Sequence, residues 1–430
     1  MKRYLVLLII KFSLIANLPK VAAFIIKLIL KKGVKPKAKG NPSHYTILYF
    51  SKPIFQDDIN SIELISKDLT FQKFPVIYLT TIVKYFIPNV DSELNDANYH
   101  LNITDTNEVV RLRHYLLKFF KHLNKINKFH AVMTGNFVYT QQQEMFIVLK
   151  QLNIPSIVLY KEGMMPLKKL KTAKDFLYKT KVFRPDFIYF YNNLIRETVV
   201  NSNIPGLTKS KTKVVGIPRF DKYYNYNKKP VNNSIVLFSF EPYEKGNYLV
   251  DDKSNMNSFI NEVTNFHKIL AEHCINNKKF NLIVKTKSSN AAINFAKSVF
   301  EQYQTILGPR LVISNSLSTE KLIKDSSFIA GFSSTTLIEG LILSKTIICP
   351  KFNPLIVNKE NDLLHPYQDV ANYINSLNGL LKVLNNDNKT IDSKLKSTFI
   401  NERVYKADGK SSIRANYELM KILNSKSLIN

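Results

Sequence analysis

Phe328–Pro350 reads FIAGFSSTTLIEGLILSKTIICP. An apolar run leads through Gly331 into a hydroxyl cluster, Ser333-Ser334-Thr335-Thr336, and an apolar helical pattern carrying Glu339 follows. A second apolar run, Thr346 to Cys349, is closed by Pro350. The order strand, tight loop, helix, strand is the unit from which parallel α/β sheets are built. The hydroxyl cluster falls at the helix N-terminus, where free backbone N–H groups and the helix dipole favour an anion such as a phosphate. Glu339 stands three residues after Thr336, the spacing of a capping box, so the stretch also has a purely structural reading.

The same alternation runs through both halves of the chain. Strand patterns are expected at Tyr45–Phe50, Val76–Leu79, Ala131–Thr134, Ser156–Tyr160, Phe187–Tyr191 and Lys213–Gly216, with helical patterns at Glu108–Leu123 and Gln141–Leu152. Tyr223–Asn233, rich in Asn, Lys and Pro, marks a boundary. Beyond it lie strand patterns at Ser234–Phe240, Asn281–Lys285, Leu311–Ile313 and Phe328–Ala330, and a helix over Phe259–Cys274. Strands alternating with helices in two successive blocks predict an α/β protein of two doubly wound parallel sheets. The expected division is a basic segment 1–40, an N-terminal domain 41–225, a C-terminal domain 234–400 and a helical tail 401–430.

Composition narrows the function. Lysine and arginine number 61 against 33 acidic residues, a formal charge of +28. That field favours anionic partners: phosphorylated substrates, acidic headgroups or nucleic acid. No nucleic-acid-binding module is recognisable, which makes DNA or RNA the weaker partner. Cys274 and Cys349 have no metal or redox spacing, so a disulfide scaffold is excluded and a reducing compartment is expected. There is no GxGxxG, P-loop, HExxH or Asp-x-Asp.

Residues 1–40 hold ten Lys or Arg and no acidic residue, interleaved with the apolar stretches Tyr4–Ile10 and Val21–Leu30. No apolar run reaches the roughly 20 residues of a spanning helix. On a helix Lys20, Lys27 and Lys31 share one face, with Phe24, Ile25 and Leu28 opposite. The pattern predicts a helix pair broken at Pro19 and lying on an anionic membrane surface. Two other readings stand beside it: a signal peptide cut short by Lys11, and a helix packed on the protein itself.

Three further segments carry candidate chemistry. Glu162 and Gly163 follow the strand Ser156–Tyr160, where an open α/β sheet places ligands, and a carboxylate there can serve as a base for an acceptor hydroxyl. In Val214–Asp221, Gly216 and Pro218 shape a turn, and Arg219 offers a bidentate fork to a phosphate or pairs with Asp221. Lys285 ends a strand.

This succession resembles the GT-B glycosyltransferase superfamily, and within it the CDP-glycerol glycerophosphotransferases and related capsular or surface-carbohydrate transferases. Their His-Gly-x-Pro-Leu-Lys loop has its counterpart in Glu162–Lys168, their Gly-x-Pro-Arg-x-Asp in Gly216–Asp221, their Lys-Pro-His in Lys285–Lys287, and their Ser-Ser with a glutamate-bearing helix in Ser333–Glu339. Glu162 stands where the group has its loop histidine, and Lys287 where it has a second. The departures favour a sugar donor over glycerophosphate.

The resemblance implies two Rossmann-like domains facing across a cleft. It implies donor phosphates at Ser333, Ser334, Thr335 and Thr336, with Arg219 and Lys285 neutralising the diphosphate. Glu339 is then a ribose ligand, Glu162 the catalytic base, and Gly163, Gly216, Pro218 and Gly331 shape the loops. The implied reaction moves a sugar from a nucleotide-activated donor to a polysaccharide or lipid-linked acceptor at the cytoplasmic face of the cell membrane. No metal or other cofactor is required, because helix dipole and cations meet the leaving-group charge. A sugar-nucleotide epimerase of the same layout and a non-catalytic polyanion- or membrane-binding protein are the alternatives.

Overall fold

The structure, a computed structural model, describes residues 2–32, 45–50, 53–102, 105–162, 170–171, 173–224, 226, 232–243, 250, 253–332, 334–353, 355–356, 367, 370–385 and 392–427. They form two compact units. The first takes the described chain up to Asp221 and again Glu402–Asn430, the second Lys222–Asn401.

The first unit is built on seven strands: β1 (Lys31–Lys32), β2 (Tyr45–Phe50), β3 (Leu69–Phe74), β4 (Ala131–Thr134), β5 (Ser156–Tyr160), β6 (Phe187–Phe190) and β7 (Thr212–Val214). Their order is β1-β3-β2-β4-β5-β6-β7, parallel throughout except for β1 on the edge. β4 and β5 are wholly buried and read as continuous apolar runs, as strands covered on both faces must. The Asn107–Ile126 helix covers one face. Thr106 caps it by accepting from Val109 N, and it buries Val109, Leu112, Leu116, Phe119, Phe120 and Leu123 at the 3.6-residue period.

Val76–Leu79, expected as a strand, opens the helix Val76–Phe86 instead. Its β-branched and aromatic content suits either state, but Tyr78, Leu79, Ile82, Val83 and Phe86 recur with helical spacing. The neighbouring strand is Leu69–Phe74, where Gln72 and Lys73 interrupt the apolar run.

Both ends of the chain, expected as segments apart, belong to this unit. Residues 2–32 make α1 (Lys2–Ile15), α2 (Pro19–Ile29) and β1, and Ile10, Leu14, Ala22, Ala23 and Ile26 enter the unit's core. The break falls at Pro19, as the sequence predicts. Phe24 and Leu28, expected opposite the lysines, instead stand exposed with Lys20 and Lys27, because Phe24 follows Lys20 by about one turn and Leu28 adjoins Lys27. Lys31 falls in β1. The C-terminal helix Ser411–Ser427 returns to the same unit: Tyr45 donates to Asn424 Oδ1 at 2.9 Å, and Arg414 Nε to the Val215 carbonyl at 2.9 Å.

The second unit is wholly parallel: β8 (Asn232–Phe238), β9 (Asn281–Lys285), β10 (Leu311–Ser314), β11 (Ser326–Gly331), β12 (Thr346–Pro350) and β13 (Asn372–Ile374), in the order β10-β9-β8-β11-β12-β13. Chain direction across the sheet reverses between β8 and β11. That is the switch point, where open α/β sheets leave a crevice at the carboxyl ends of the strands. In the first unit the equivalent reversal lies between β2 and β4. The decisive stretch is therefore β11, the helix Thr335–Ile342 and β12, as read from sequence.

Gly340 lets that helix settle on the sheet: a Cβ there would stand 2.6 Å from Ile329 Cδ1 and 2.9 Å from Ile347 Cδ1. Gly340→Val is expected to lower stability by about 1–3 kcal/mol, the usual cost of overpacking. Chemical denaturation measures it, and an unshifted midpoint would mean that the helix does not pack this closely.

Candidate functional site

In the second unit, register decides which groups meet at the crevice. Ser314 pairs with Lys285, Lys285 with Phe238, and Phe238 with Gly331, so four strand ends stand in one row. Lys285 Nζ donates to the carbonyls of Thr286 at 3.0 Å and Asn315 at 2.9 Å, which holds the cation at that edge. Burial draws its pKa below the ordinary lysine value. Gly331 is needed for a close approach, since a Cβ would lie 3.3 Å from the Phe238 carbonyl oxygen.

Three residues on, Ser334 caps the Thr335–Ile342 helix. Its Oγ accepts from Thr336 N at 3.4 Å and lies 2.8 Å from Thr336 Oγ1, while its carbonyl accepts from Tyr367 OH at 2.7 Å. Because Ser334 is the N-cap, the third helical residue is Leu337, and the capping box expected between Thr336 and Glu339 does not form. Glu339 is instead buried and accepts from Tyr223 OH at 2.5 Å. Ser333 lies outside the described residues.

Behind the row sits a buried pair, His267 and Ser239. His267 is fully buried among Phe240, Phe295 and Phe300, and its Nδ1 lies 2.8 Å from the Val263 carbonyl. A carbonyl only accepts, so Nδ1 carries the proton. In the neutral ring Nε2 must then accept, and its partner at 3.0 Å is Ser239 Oγ. Burial lowers the His267 pKa to about 4, which keeps the ring neutral at pH 7. Ser239 follows β8 directly and donates its N–H to the Lys285 carbonyl at 2.9 Å, so this pair fixes the strand end beside the switch point. His267 stands between Phe266 and Lys268 in a helical pattern, which offered no sequence signal for that partnership.

In the first unit, Lys161 and Glu162 follow β5, and Lys161 N donates to the Gly135 carbonyl at 3.0 Å, joining the ends of β4 and β5. Lys161 Nζ pairs with Glu162 Oε1 at 2.6 Å. Burial works against the Lys161 charge, but the Glu162 hydrogen bond and charge, with Tyr139, outweigh it and raise its pKa. Gly163 lies outside the described residues.

The Gly-x-Pro-Arg turn is built as expected, but its arginine is turned inward. Gly216 has φ 89°, and a Cβ there would stand 2.3 Å from Ser411 Oγ. Pro218 begins a single 3-10 turn, Pro218–Phe220. Arg219 is buried: its Nη1 donates to Asp58 Oδ2 at 2.8 Å and to Tyr191 OH at 2.9 Å, and its backbone N donates to Asp58 Oδ1 at 3.1 Å. Tyr191 OH also donates to Asp58 through a short bond. Asp221, the partner expected from sequence, accepts instead from Ser411 N at 3.0 Å and Ser412 N at 2.6 Å. Burial pushes the Asp221 carboxyl above its usual range, against the pull of those donors.

Among the described residues, no group of three or more His, Cys, Asp or Glu gathers as a metal-ligand set.

No family model and no curated protein matches the chain. Solved structures do. A UDP-N-acetylglucosamine 2-epimerase is 10% identical, with a TM-score of 0.51 over 88% of this chain and 96% of its own. A putative UDP-N-acetylglucosamine 2-epimerase from Listeria monocytogenes is 10% identical, with a TM-score of 0.51 over 88% and 97%. The UDP-GlcNAc 2-epimerase from Neisseria meningitidis, bound to UDP-GlcNAc, is 9% identical, with a TM-score of 0.50 over 88% and 99%. The likeness is one of fold: the chain has the two Rossmann-like domains of the GT-B type. It gives no support to the CDP-glycerol transferases in particular.

Two measurements test the buried groups. Asp58→Ala leaves the Arg219 guanidinium buried without its carboxylate and is expected to cost about 3–5 kcal/mol in denaturant unfolding. Tyr191→Phe removes one neutral partner and is expected to cost about 1 kcal/mol. His267, lowered to about 4 in the fold, takes up its proton earlier in the unfolded chain. Stability therefore falls as pH drops from about 6.5 to 4, by on the order of 3 kcal/mol from this group. His267→Phe should flatten that part of the stability–pH curve, and an unchanged slope would refute the buried neutral ring.

Proposed function

We propose that the protein is a glycosyltransferase that moves a sugar from a nucleotide-activated donor to a cell-surface polysaccharide or lipid-linked acceptor. The observation that carries this reading is the row of strand ends in the second unit. Register sets Lys285 and Gly331 beside the switch point, and Gly331 leads into a helix N-terminus capped by Ser334. A cation, a close-approach glycine and the positive end of a helix dipole at one crevice suit a nucleoside diphosphate.

In this reading Thr335 and Thr336 lie at the donor phosphates with Lys285. Glu339 accepts from a ribose hydroxyl as well as from Tyr223, since a carboxylate has about four acceptor positions. Arg219 works by anchoring the Gly216–Phe220 turn through Asp58, not by touching phosphate. Glu162, held by Lys161, takes the proton of the acceptor hydroxyl as it attacks the donor carbon. The bond from that carbon to the diphosphate breaks, and the charge that develops is met by the helix dipole and Lys285 without a required metal. A polyol phosphate, as moved by the CDP-glycerol group, is the narrower alternative donor cargo.

Epimerisation is the second reading, because the solved chains of this fold quoted above carry that name and one of them holds UDP-GlcNAc. It needs no acceptor, and that separates the two. Thermal-shift screening against UDP-, CDP-, GDP- and CMP-linked sugars is expected to yield one donor that raises Tm by about 2–4 °C at saturation. Lys285→Ala should abolish the shift. Glu162→Gln should keep it and lose turnover. Nucleotide release that depends on an added acceptor supports transfer, whereas formation of an epimeric sugar nucleotide without acceptor supports the second reading. Stabilisation by none of the donors would overturn both and leave a non-catalytic binding protein.

A further inference from the structure

α1 and α2 each carry two apolar faces, and only one of them is used by the core. Ile10 and Leu14 on α1 and Ala22, Ala23 and Ile26 on α2 are buried in the first unit. Ser13 Oγ, on the same side, lies 3.1 Å from Tyr115 OH. The other face stands open. Tyr4, Leu8 and Phe12 repeat every four residues along α1, and Val21, Phe24 and Leu28 follow on α2. All six are exposed, Tyr4 to 70%, Phe12 to 61% and Leu28 to 64%. An exposed run of large apolar side chains on adjoining helices marks a docking face.

Charge selects the occupant. Arg3, Lys11, Lys20 and Lys27 are exposed on the same two helices, and residues 1–40 contain no acidic side chain. A second copy of this face would bring like charges together. A polyanion such as nucleic acid would neutralise the lysines but leave the phenylalanines in water. A surface that is anionic at its skin and apolar beneath satisfies both sets at once. α1 and α2 have 14 and 11 residues, and no helix among the described residues is long and apolar enough to cross a membrane.

We propose that the solvent face of α1 and α2 docks the protein in the plane of an anionic lipid bilayer, with Phe12 and Phe24 seated below the headgroups and the lysines among them. The cytoplasmic leaflet has that chemistry. The two helices are thus a core element and a membrane element together, one face to each.

Removing residues 1–40 is the wrong test, because it strips Ile10, Leu14, Ala22 and Ile26 from the core. The full chain is instead mixed with vesicles of phosphatidylcholine alone or with phosphatidylglycerol, and bound protein is measured by flotation. The wild type is expected to float with the phosphatidylglycerol vesicles and to be partly released by high salt. Phe12→Glu with Phe24→Glu should weaken that binding by at least about tenfold, with an unchanged thermal midpoint. Lys20→Glu with Lys27→Glu should remove the salt-sensitive part. Equal binding by the Phe12/Phe24 variant, or equal binding of the wild type to both vesicle types, would overturn the proposal. So would a wild-type dimer in analytical ultracentrifugation that ignores vesicles and that the Phe12/Phe24 variant converts to monomer.

Discussion

In a parallel sheet covered on both faces, the strands themselves can present nothing but apolar side chains, and polar chemistry is confined to their ends. The central strands of both units obey this constraint, whereas β3, beside the edge strand, carries Gln72 and Lys73 within its run. In the second unit, four polar groups of the candidate site stand at or just beyond the carboxyl end of a strand: Ser239 after β8, Lys285 ending β9, Ser314 ending β10 and Ser334 three residues beyond β11. Register then determines their neighbours. A slip of one residue between β8 and β9 would send Lys285 to the other face of the sheet and break the row.

Two of the polar residues that the family resemblance implies as ligands are also partners in buried pairs. Arg219 meets Asp58 and Tyr191, and Glu339 meets Tyr223. Such pairs are costly to bury and stay only where geometry satisfies them, so each fixes the segment that carries it. The Asp58 carboxylate joins the Pro53–Ile65 helix to the turn after β7, and Tyr223 ties the start of the second unit to the helix after β11. Their first effect is to hold loops in place, which a ligand site needs as much as it needs contacts.

Most strands were legible because a doubly covered strand is an unbroken apolar run: β2, β4, β5 and β9 fall where sequence placed them. Val76–Leu79 reads as a strand because Val, Ile and Tyr are good strand formers, and tertiary packing selects the helical period of Val76–Phe86. Asp58 was illegible for another reason. It meets Arg219 from 161 positions away, and nothing local to Asp57-Asp58 marks which carboxylate turns inward. The N-terminal helices show the limit of amphipathic reading. Sequence revealed apolar arcs and lysines, but which arc the core takes, through Ala22, Ala23 and Ile26, depends on the helices beneath.

The return of Ser411–Ser427 to the first unit has a consequence for biogenesis. Gly216 and Asp221 are contacted by Ser411, and the Pro218 carbonyl by Ser412 Oγ, so the second unit is encoded between two pieces of the first. A ribosome delivers Lys222–Asn401 in full before the helix that completes the earlier unit has emerged. All seven strands of the first unit precede Lys222, but the unit begun first is finished last, when its closing helix arrives. During that interval the nascent first unit lacks the donors for the Asp221 carboxylate and the acceptor for the Tyr45 hydroxyl, so its packing is incomplete while the second unit is made.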